Sequence, residues 1–238
     1  MKVVLINASP RRGNTYHAAQ LFLEEMAKQT ELQCTEYFLP QDLPEFCLGC
    51  GNCFDKGEEK CPHAGYTLPI LESMLEADAL VVATPVFVWQ TTGAMKNFLD
   101  HFAHLFMIHR PRQEMFGKNA FILSTATGGP KNSAIKPIAL NLKLWGINRV
   151  YSKGFILNLM HPGSWESIDA KRRDRIEKEI NREARKFYKR VNGKKRQPYL
   201  LARFIFYLSR SMIVKDGKNR AYDRAYWERK GWLTGMPL

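Results

Sequence analysis

Residues 3–6 of the chain, Val-Val-Leu-Ile, break off into a polar loop, Ser9-Pro10-Arg11-Arg12-Gly13-Asn14-Thr15, which runs into an amphipathic stretch. That order constrains the fold more than any other feature. The apolar run is too short for a signal-peptide core and suits a strand buried on both faces. The following residues, 15–28, place Ala18, Ala19, Leu21, Phe22 and Met26 at helical spacing. Strand, polar turn and helix make the first part of a βαβ unit. The alternation then continues. Residues 33–38 read as a second strand, 40–65 as a Pro-, Gly- and Cys-rich loop, and 67–77 as a helix. A third strand is expected at 79–83, a helix at 92–107 and a fourth strand at 120–123. Gly128, Gly129 and Pro130 punctuate a turn before a helix that runs to about 145, and 150–157 supplies a fifth strand.

Five strands separated by helices predict an α/β fold with right-handed crossovers: a doubly wound, five-stranded parallel sheet of flavodoxin-like order 2-1-3-4-5, helices on both faces. In that order a ligand lies beyond the carboxyl ends of the strands, beside strand 1, so the loops after strands 1, 3 and 4 matter. A long helix is expected over 165–191, with Ile168, Ile176, Ile180, Ala184, Phe187 and Val191 on one stripe and Asn192-Gly193 ending it. This gives a domain over 1–192, carrying the Cys-rich loop 40–65, and a helical, aromatic-rich extension over 193–238.

Hydrophobic residues at 45% and charged residues at 25% exclude a disordered or fibrous chain. No stretch of about 20 apolar residues occurs, so no membrane-spanning helix is expected, and the location expected is cytoplasmic and reducing. The net charge of +13 is unevenly placed. Residues 171–230 hold 21 of the 36 Lys and Arg and 7 of the 23 Asp and Glu, or +14, leaving the rest of the chain at −1. Any argument from charge to an anionic partner belongs to the C-terminal quarter.

A phosphate monoester needs convergent hydroxyls, free N–H groups at a helix start and a guanidinium. Ser9, Thr15, the Gly13 and Asn14 backbone and Arg11 or Arg12 offer all three. The plain alternative is a polar turn in which Asn14 or Thr15 caps the helix.

Three segments in order, ASPRRGNT after strand 1, TPVFVWQTTGAMKNFLD after strand 3 and TATGGP after strand 4, resemble the NADPH-dependent FMN reductase and iron–sulfur flavoprotein family over roughly residues 1–160. The resemblance implies non-covalent FMN, NADH or NADPH as co-substrate and a homodimer or homotetramer. It matches Ser9, Arg11, Asn14 and Thr15 to the phosphate loop, with Arg12 and Gly13 between them. Thr84, Pro85, Val86, Phe87 and Trp89 match the segment along the flavin ring, and Thr127, Gly128 and Gly129 the loop beside its pyrimidine end. The family more often has Tyr where Phe87 stands, so a hydroxyl is missing although stacking is not. Flat apolar cover from Phe87 and Trp89 suits an aromatic ring system, and the alternative is that both are buried core. Lys96 and Asp100 read as helix-surface residues.

The five cysteines are Cys34, Cys47, Cys50, Cys53 and Cys61. The last four, at Cys-x2-Cys-x2-Cys-x7-Cys before Pro62, resemble the compact motif that holds a 4Fe-4S cluster in the iron–sulfur flavoproteins. Gly49 and Gly51 allow close backbone approach. Thiols that merely pack, and zinc, remain the alternatives, although zinc sites usually separate two Cys pairs widely. Cys34 is expected to be buried and inert. Of the histidines His17, His63, His101, His104, His109 and His161, the pair His101 and His104 shares a helical face with no acid or Cys partner at metal spacing, and none is given a role. Neither a Ser–His–Asp set nor paired carboxylates can be argued.

The segment 199–214, with Arg203 and Arg210 among Phe204, Ile205, Phe206 and Leu208, is too short to span a bilayer. It could lie at an anionic membrane surface or pack as a subunit-interface or lid helix. Nucleic-acid binding has the charge and no motif. The function expected is hydride transfer from NAD(P)H to bound FMN and on to a quinone, nitro or azo compound, free flavin or metal. The catalysis is the flavin's and no protein residue is catalytic. The rival is an iron–sulfur flavoprotein carrying electrons between protein partners.

Overall fold

The structure is a computed structural model that describes residues 1–159, 163–193, 200–216 and 220–235. Strand β1 (Lys2–Asn7) leads to helix α1 (Asn14–Ala27), β2 (Gln33–Phe38) and the single turns α2 (Leu39–Asp42) and α3 (Asn52–Asp55). Helix α4 (Ala64–Glu76), β3 (Ala79–Pro85), α5 (Gly93–His101), the turn α6 (Gln113–Phe116) and β4 (Asn119–Ala126) follow. Helix α7 (Ile135–Leu144) and β5 (Arg149–Ile156) complete the sheet, and α8 (Ala170–Val191), α9 (Leu200–Lys215) and α10 (Ala221–Arg229) end the chain. The five strands are all parallel, in the expected order β2-β1-β3-β4-β5.

Alternation along the strands divides the apolar interior into two layers. Val4, Ile6, Leu80, Val82, Ala120 and Ile122 pack with α4, α5 and α7 around the buried Trp145. Their neighbours Val3, Leu5, Val81, Phe121 and Leu123 pack against α1 and α8, where Phe22 and Phe187 meet Phe121 at ring separations of 4.5 and 5.5 Å. Cys34 corrects one expectation. It lies on the edge strand β2 and is exposed, and its thiol is pushed up to about 11, first by desolvation and then by Glu36.

Two expected helices are shorter than their patterns. Helix α5 stops at His101 because the His101 carbonyl, which a longer helix would offer to Leu105, accepts from His104 Nδ1 at 3.2 Å; a 3₁₀ turn, Ala103–Leu105, follows. The stripe over 165–191 begins with a separate 3₁₀ turn, Trp165–Ser167. Asp169 then caps α8 by accepting from the Arg172 N–H at 2.9 Å.

The C-terminal helices make a third apolar cluster, in which Phe206, Ile213, Tyr226, Trp227 and Trp232 enclose Met107 and Phe116. Helix α9 is apolar on its far side too, where Leu200, Phe204, Tyr207, Leu208 and Met212 are exposed. Among the described residues no helix is long and apolar enough to cross a membrane. His161 and the 194–199 part of the expected extension lie outside the described residues.

Candidate functional site

The loop after β1 turns on its own short bonds. Asn7 Oδ1 accepts from the Ser9 N–H at 3.1 Å, Ser9 Oγ donates to the Arg11 carbonyl at 2.6 Å, and the Gly13 N–H reaches the same carbonyl at 2.8 Å. Helix α1 then starts at Gly13 with no side-chain cap and no acidic residue in its first turn. Both residues that would cap it are otherwise engaged. Asn14 Nδ2 donates to the Gly163 carbonyl at 2.8 Å, and the buried Thr15 hydroxyl lies 2.6 Å from that of Thr125. The first-turn N–H groups and the positive end of the helix dipole are thus left for a ligand, which is how helices bind phosphate. Arg11 and Arg12 stand exposed at its rim, Arg12 5.6 Å from the Tyr16 ring.

The loop after β3 is a tight hairpin. Phe87 and Gln90 exchange N–H···O bonds of 2.9 and 2.8 Å, and the two residues between them are left-handed, Val88 at φ +46° and Trp89 at φ +61°. Two positive φ values in succession define a type I′ turn, usually built with Asn or Gly. Here a β-branched valine and a tryptophan occupy it, and such outliers cluster where ligands bind. Phe87 is 47% exposed and Trp89 71%, so neither is core. The turn is braced from below. Thr84 is buried and its hydroxyl bonds the Pro85 carbonyl at 3.2 Å, and the Val86 N–H reaches the Thr125 carbonyl at 2.8 Å. Thr92 caps α5 through the Met95 N–H at 3.2 Å and donates to the Ala8 carbonyl at 3.1 Å, tying this loop to the first. That tie escaped the sequence reading, although Thr-Thr-Gly before a helix is a start signal.

Thr127, Gly128 and Gly129 follow β4 and are exposed. Gly129 has φ +83°, and a Cβ there would lie 3.9 Å from Trp89 Nε1, so the third loop abuts the second; at Gly128 a Cβ would meet nothing within 4 Å. The three loops meet at the carboxyl end of the sheet through the Thr92–Ala8, Thr15–Thr125 and Gly129–Trp89 contacts. A cavity of about 920 Å³ opens at the other end of the strands, lined among others by Asp78, Asn119, Arg149 and Arg190. The switch-point rule for open α/β sheets selects the carboxyl end.

The cysteine loop packs beside α5. The Cys47 N–H donates to Asn97 Oδ1 at 2.9 Å, and Asn97 Nδ2 holds the Glu45 carbonyl at 2.8 Å. Gly49 and Gly51 sit at φ +63° and +77°, which only glycine adopts cheaply. Burial pushes the Cys53 thiol up to about 11, with Cys61, Cys47 and Cys50 adding to the rise and Arg110 opposing it. Burial raises Cys61 as well, against a bond from the His63 N–H. The four thiols are therefore electrostatic neighbours. Yet no three of their sulfurs come within 4.8 Å of one another; among the described residues only Cys61, His63 and His101 make such a group. Four thiolates around one zinc ion would lie closer, whereas the corners of a cubane spread them apart.

That trio also corrects the histidine reading. His101 does have partners, His63 at 3.1 Å and Cys61, all brought in by the loop rather than by its own helix. His101 and His104 are both buried, and burial pushes His104 down to about 4.

Residues 1–151 match the family described as NADPH-dependent FMN reductase. An iron-sulfur flavoprotein of Archaeoglobus fulgidus is 28% identical over 153 residues, 63% of this chain and 70% of that protein. A second protein of that name from the same organism is 26% identical over 235 residues, 98% of this chain and its whole length. Among solved structures, an NADH:FMN oxidoreductase in its apo form has a TM-score of 0.56 at 20% identity, covering 84% of this chain and 94% of the other, which shows the fold.

Proposed function

This chain belongs to the NADPH-dependent FMN reductase family, and we propose that the three loops at the carboxyl end of its sheet hold FMN. Its activity is that of an FMN-dependent NAD(P)H oxidoreductase. The observation that carries the reading is the uncapped start of α1, whose would-be caps bond elsewhere and leave donors for a phosphate. Ser9, Arg11, Arg12, Gly13, Asn14 and Thr15 would hold that phosphate. Thr84, Pro85, Val86, Phe87 and Trp89 would lie along the ring, with Thr127, Gly128 and Gly129 at its far edge.

The chemistry FMN supplies when bound is acceptance of a hydride from NADH or NADPH and release of the electrons to a small acceptor such as a quinone, a nitro or azo compound, free flavin or a metal. The chain's own residues bind and orient. The I′ turn presents Phe87 and Trp89 as flat apolar cover that would displace water, and backbone N–H groups of the loops would donate to ring carbonyls. No side chain here is asked to move a proton.

A second reading is favoured by one observation, four thiols at Cys-x2-Cys-x2-Cys-x7-Cys spacing of which three act electrostatically on the fourth, Cys53. Cys47, Cys50, Cys53 and Cys61 fit a 4Fe-4S cluster, which when present supplies one-electron transfer to a protein partner. We further propose a homodimer or homotetramer, measurable by light scattering.

Purification with and without air, followed by flavin, iron and sulfide analysis, tests both readings. A chain that neither carries nor takes up flavin refutes the first. Rapid-mixing reduction by NADH and NADPH then decides between reductase and carrier, since a carrier stays oxidised with either nucleotide.

A further inference from the structure

A set of buried charges joins the cysteine loop to the C-terminal helix. Arg110 is 1% exposed, and its guanidinium is fully shared. Nη1 donates to Asp223 Oδ1 of α10 at 2.5 Å and to the Phe54 carbonyl at 3.4 Å. Nη2 donates to the Cys53 carbonyl and to Glu58 Oε2, the latter at 3.2 Å. Tyr222 covers the group, its ring centroid 4.9 Å from Cζ. Asp223, 3% exposed, also takes His109 Nδ1 at 2.7 Å, and Glu58 takes Arg112 as well. Helix α10 is fastened by Tyr226 to the Pro111 carbonyl and by Trp227 Nε1 to the His109 carbonyl, both at 2.6 Å.

Burying a guanidinium is expensive, and apolar residues would dock α10 as well or better. What an arginine adds is a rigid fork of donors and a permanent charge. The fork spans the carbonyls of two successive residues, Cys53 and Phe54, which fixes the backbone that aims the Cys53 thiol. The charge stands next to that thiol and favours its thiolate.

We propose that Arg110 is the positioning residue of the cysteine loop, setting Cys53 and holding a fixed positive charge beside the group the four thiolates carry, and that Asp223 and Tyr222 of α10 keep it there. The inference rests on the reading of Cys47, Cys50, Cys53 and Cys61 as ligands of a 4Fe-4S cluster. One-electron reduction makes such a cluster one unit more negative, so a fixed neighbouring cation raises its potential. The extension that carries Asp223 is in this sense part of the redox site, with α10 packing on α3 where Cys53 stands.

The test uses the full chain and its Arg110→Gln, Arg110→Lys and Glu58→Gln variants, reconstituted without air with iron and sulfide and titrated electrochemically under paramagnetic resonance. Arg110→Gln removes the charge and leaves one shorter amide donor near the two carbonyls. At a fixed ambient potential its ratio of reduced to oxidised cluster should fall about tenfold relative to the parent, about 59 mV for a one-electron couple. Arg110→Lys restores the charge and returns the potential to the parent value. Glu58→Gln leaves Arg110 and Arg112 less compensated and moves the potential upward. Normal FMN content in each variant certifies the fold, and if Arg110→Gln does not fold, the upward shift in Glu58→Gln decides alone. Unmoved potentials in folded, loaded variants overturn the proposal. A parent chain that takes up no iron and sulfide overturns the cluster reading instead, a different and separable result.

Discussion

The proposed flavin end of the sheet and the proposed cluster loop differ in the materials that would hold their ligands. The first uses backbone and neutral groups: an uncapped helix, a I′ turn forced on Val88 and Trp89, and hydroxyl and amide bonds such as Thr15 to Thr125, Thr92 to Ala8 and Asn14 to Gly163. Its surrounding chain is nearly neutral. The second uses ion pairs, Arg110 with Asp223 and Glu58. A backbone site is set once the sheet forms. An ion-pair site depends on every member, because one deletion strands a buried charge.

The contrast breaks if the two ends respond alike to mutation. Asp223→Ala leaves Arg110 buried and half-paired and should destabilise the chain by about 3–5 kcal/mol in urea unfolding, while FMN affinity in the folded fraction stays as it was. An equal loss at the flavin would show the two ends to be one unit. Next in size is a pH effect. His104 titrates at about 4 in the folded chain because of burial, below its unfolded value of about 6.5. The unfolded state therefore binds the extra proton between these values. The stability is fully present above about 6.5 and is lost as pH falls towards about 4, to a total of roughly 3 kcal/mol. His104→Leu should remove that slope from urea midpoints measured across the window. Thr15→Val should weaken FMN binding by about 1–3 kcal/mol if the hydroxyl reaches the phosphate, read by flavin fluorescence titration. An unchanged dissociation constant would leave the hydroxyl to Thr125 alone. The smallest effect sharpens the contrast within the flavin end. Val88→Asn puts a residue that tolerates φ +46° into the turn and should raise stability by about 1 kcal/mol in thermal unfolding.

The same contrast explains what the sequence made legible. Sheet order and the place of each strand followed from the VVLI run and its successors, since buried parallel strands are written in local pattern, although β4 runs over Asn119–Ala126 where the pattern marks only 120–123. The uncapped α1 was not legible, because Asn14 reads as a cap until Gly163 is brought to it by the chain after β5. Trp89 was ambiguous between core and ring cover until the turn geometry exposed it. At the cysteine loop the thiols were obvious by spacing, but His101 and Arg110 were not. Each gains its meaning from a loop or helix that only tertiary structure delivers, and Asp223 stands 113 residues from Arg110.

That separation has a consequence for how the molecule is made. At a synthesis rate of about 5–20 residues per second, Asp223 follows Arg110 by roughly 6–23 s. During that interval β4, β5 and the third loop are made and the sheet is completed, while the guanidinium beside Cys53 has not met its last partner. The nascent chain therefore passes through a stage in which the sheet is whole and the backbone at Cys53 and Phe54 is not yet clamped by an Arg110 that Asp223 holds, and the docking of α10 ends it.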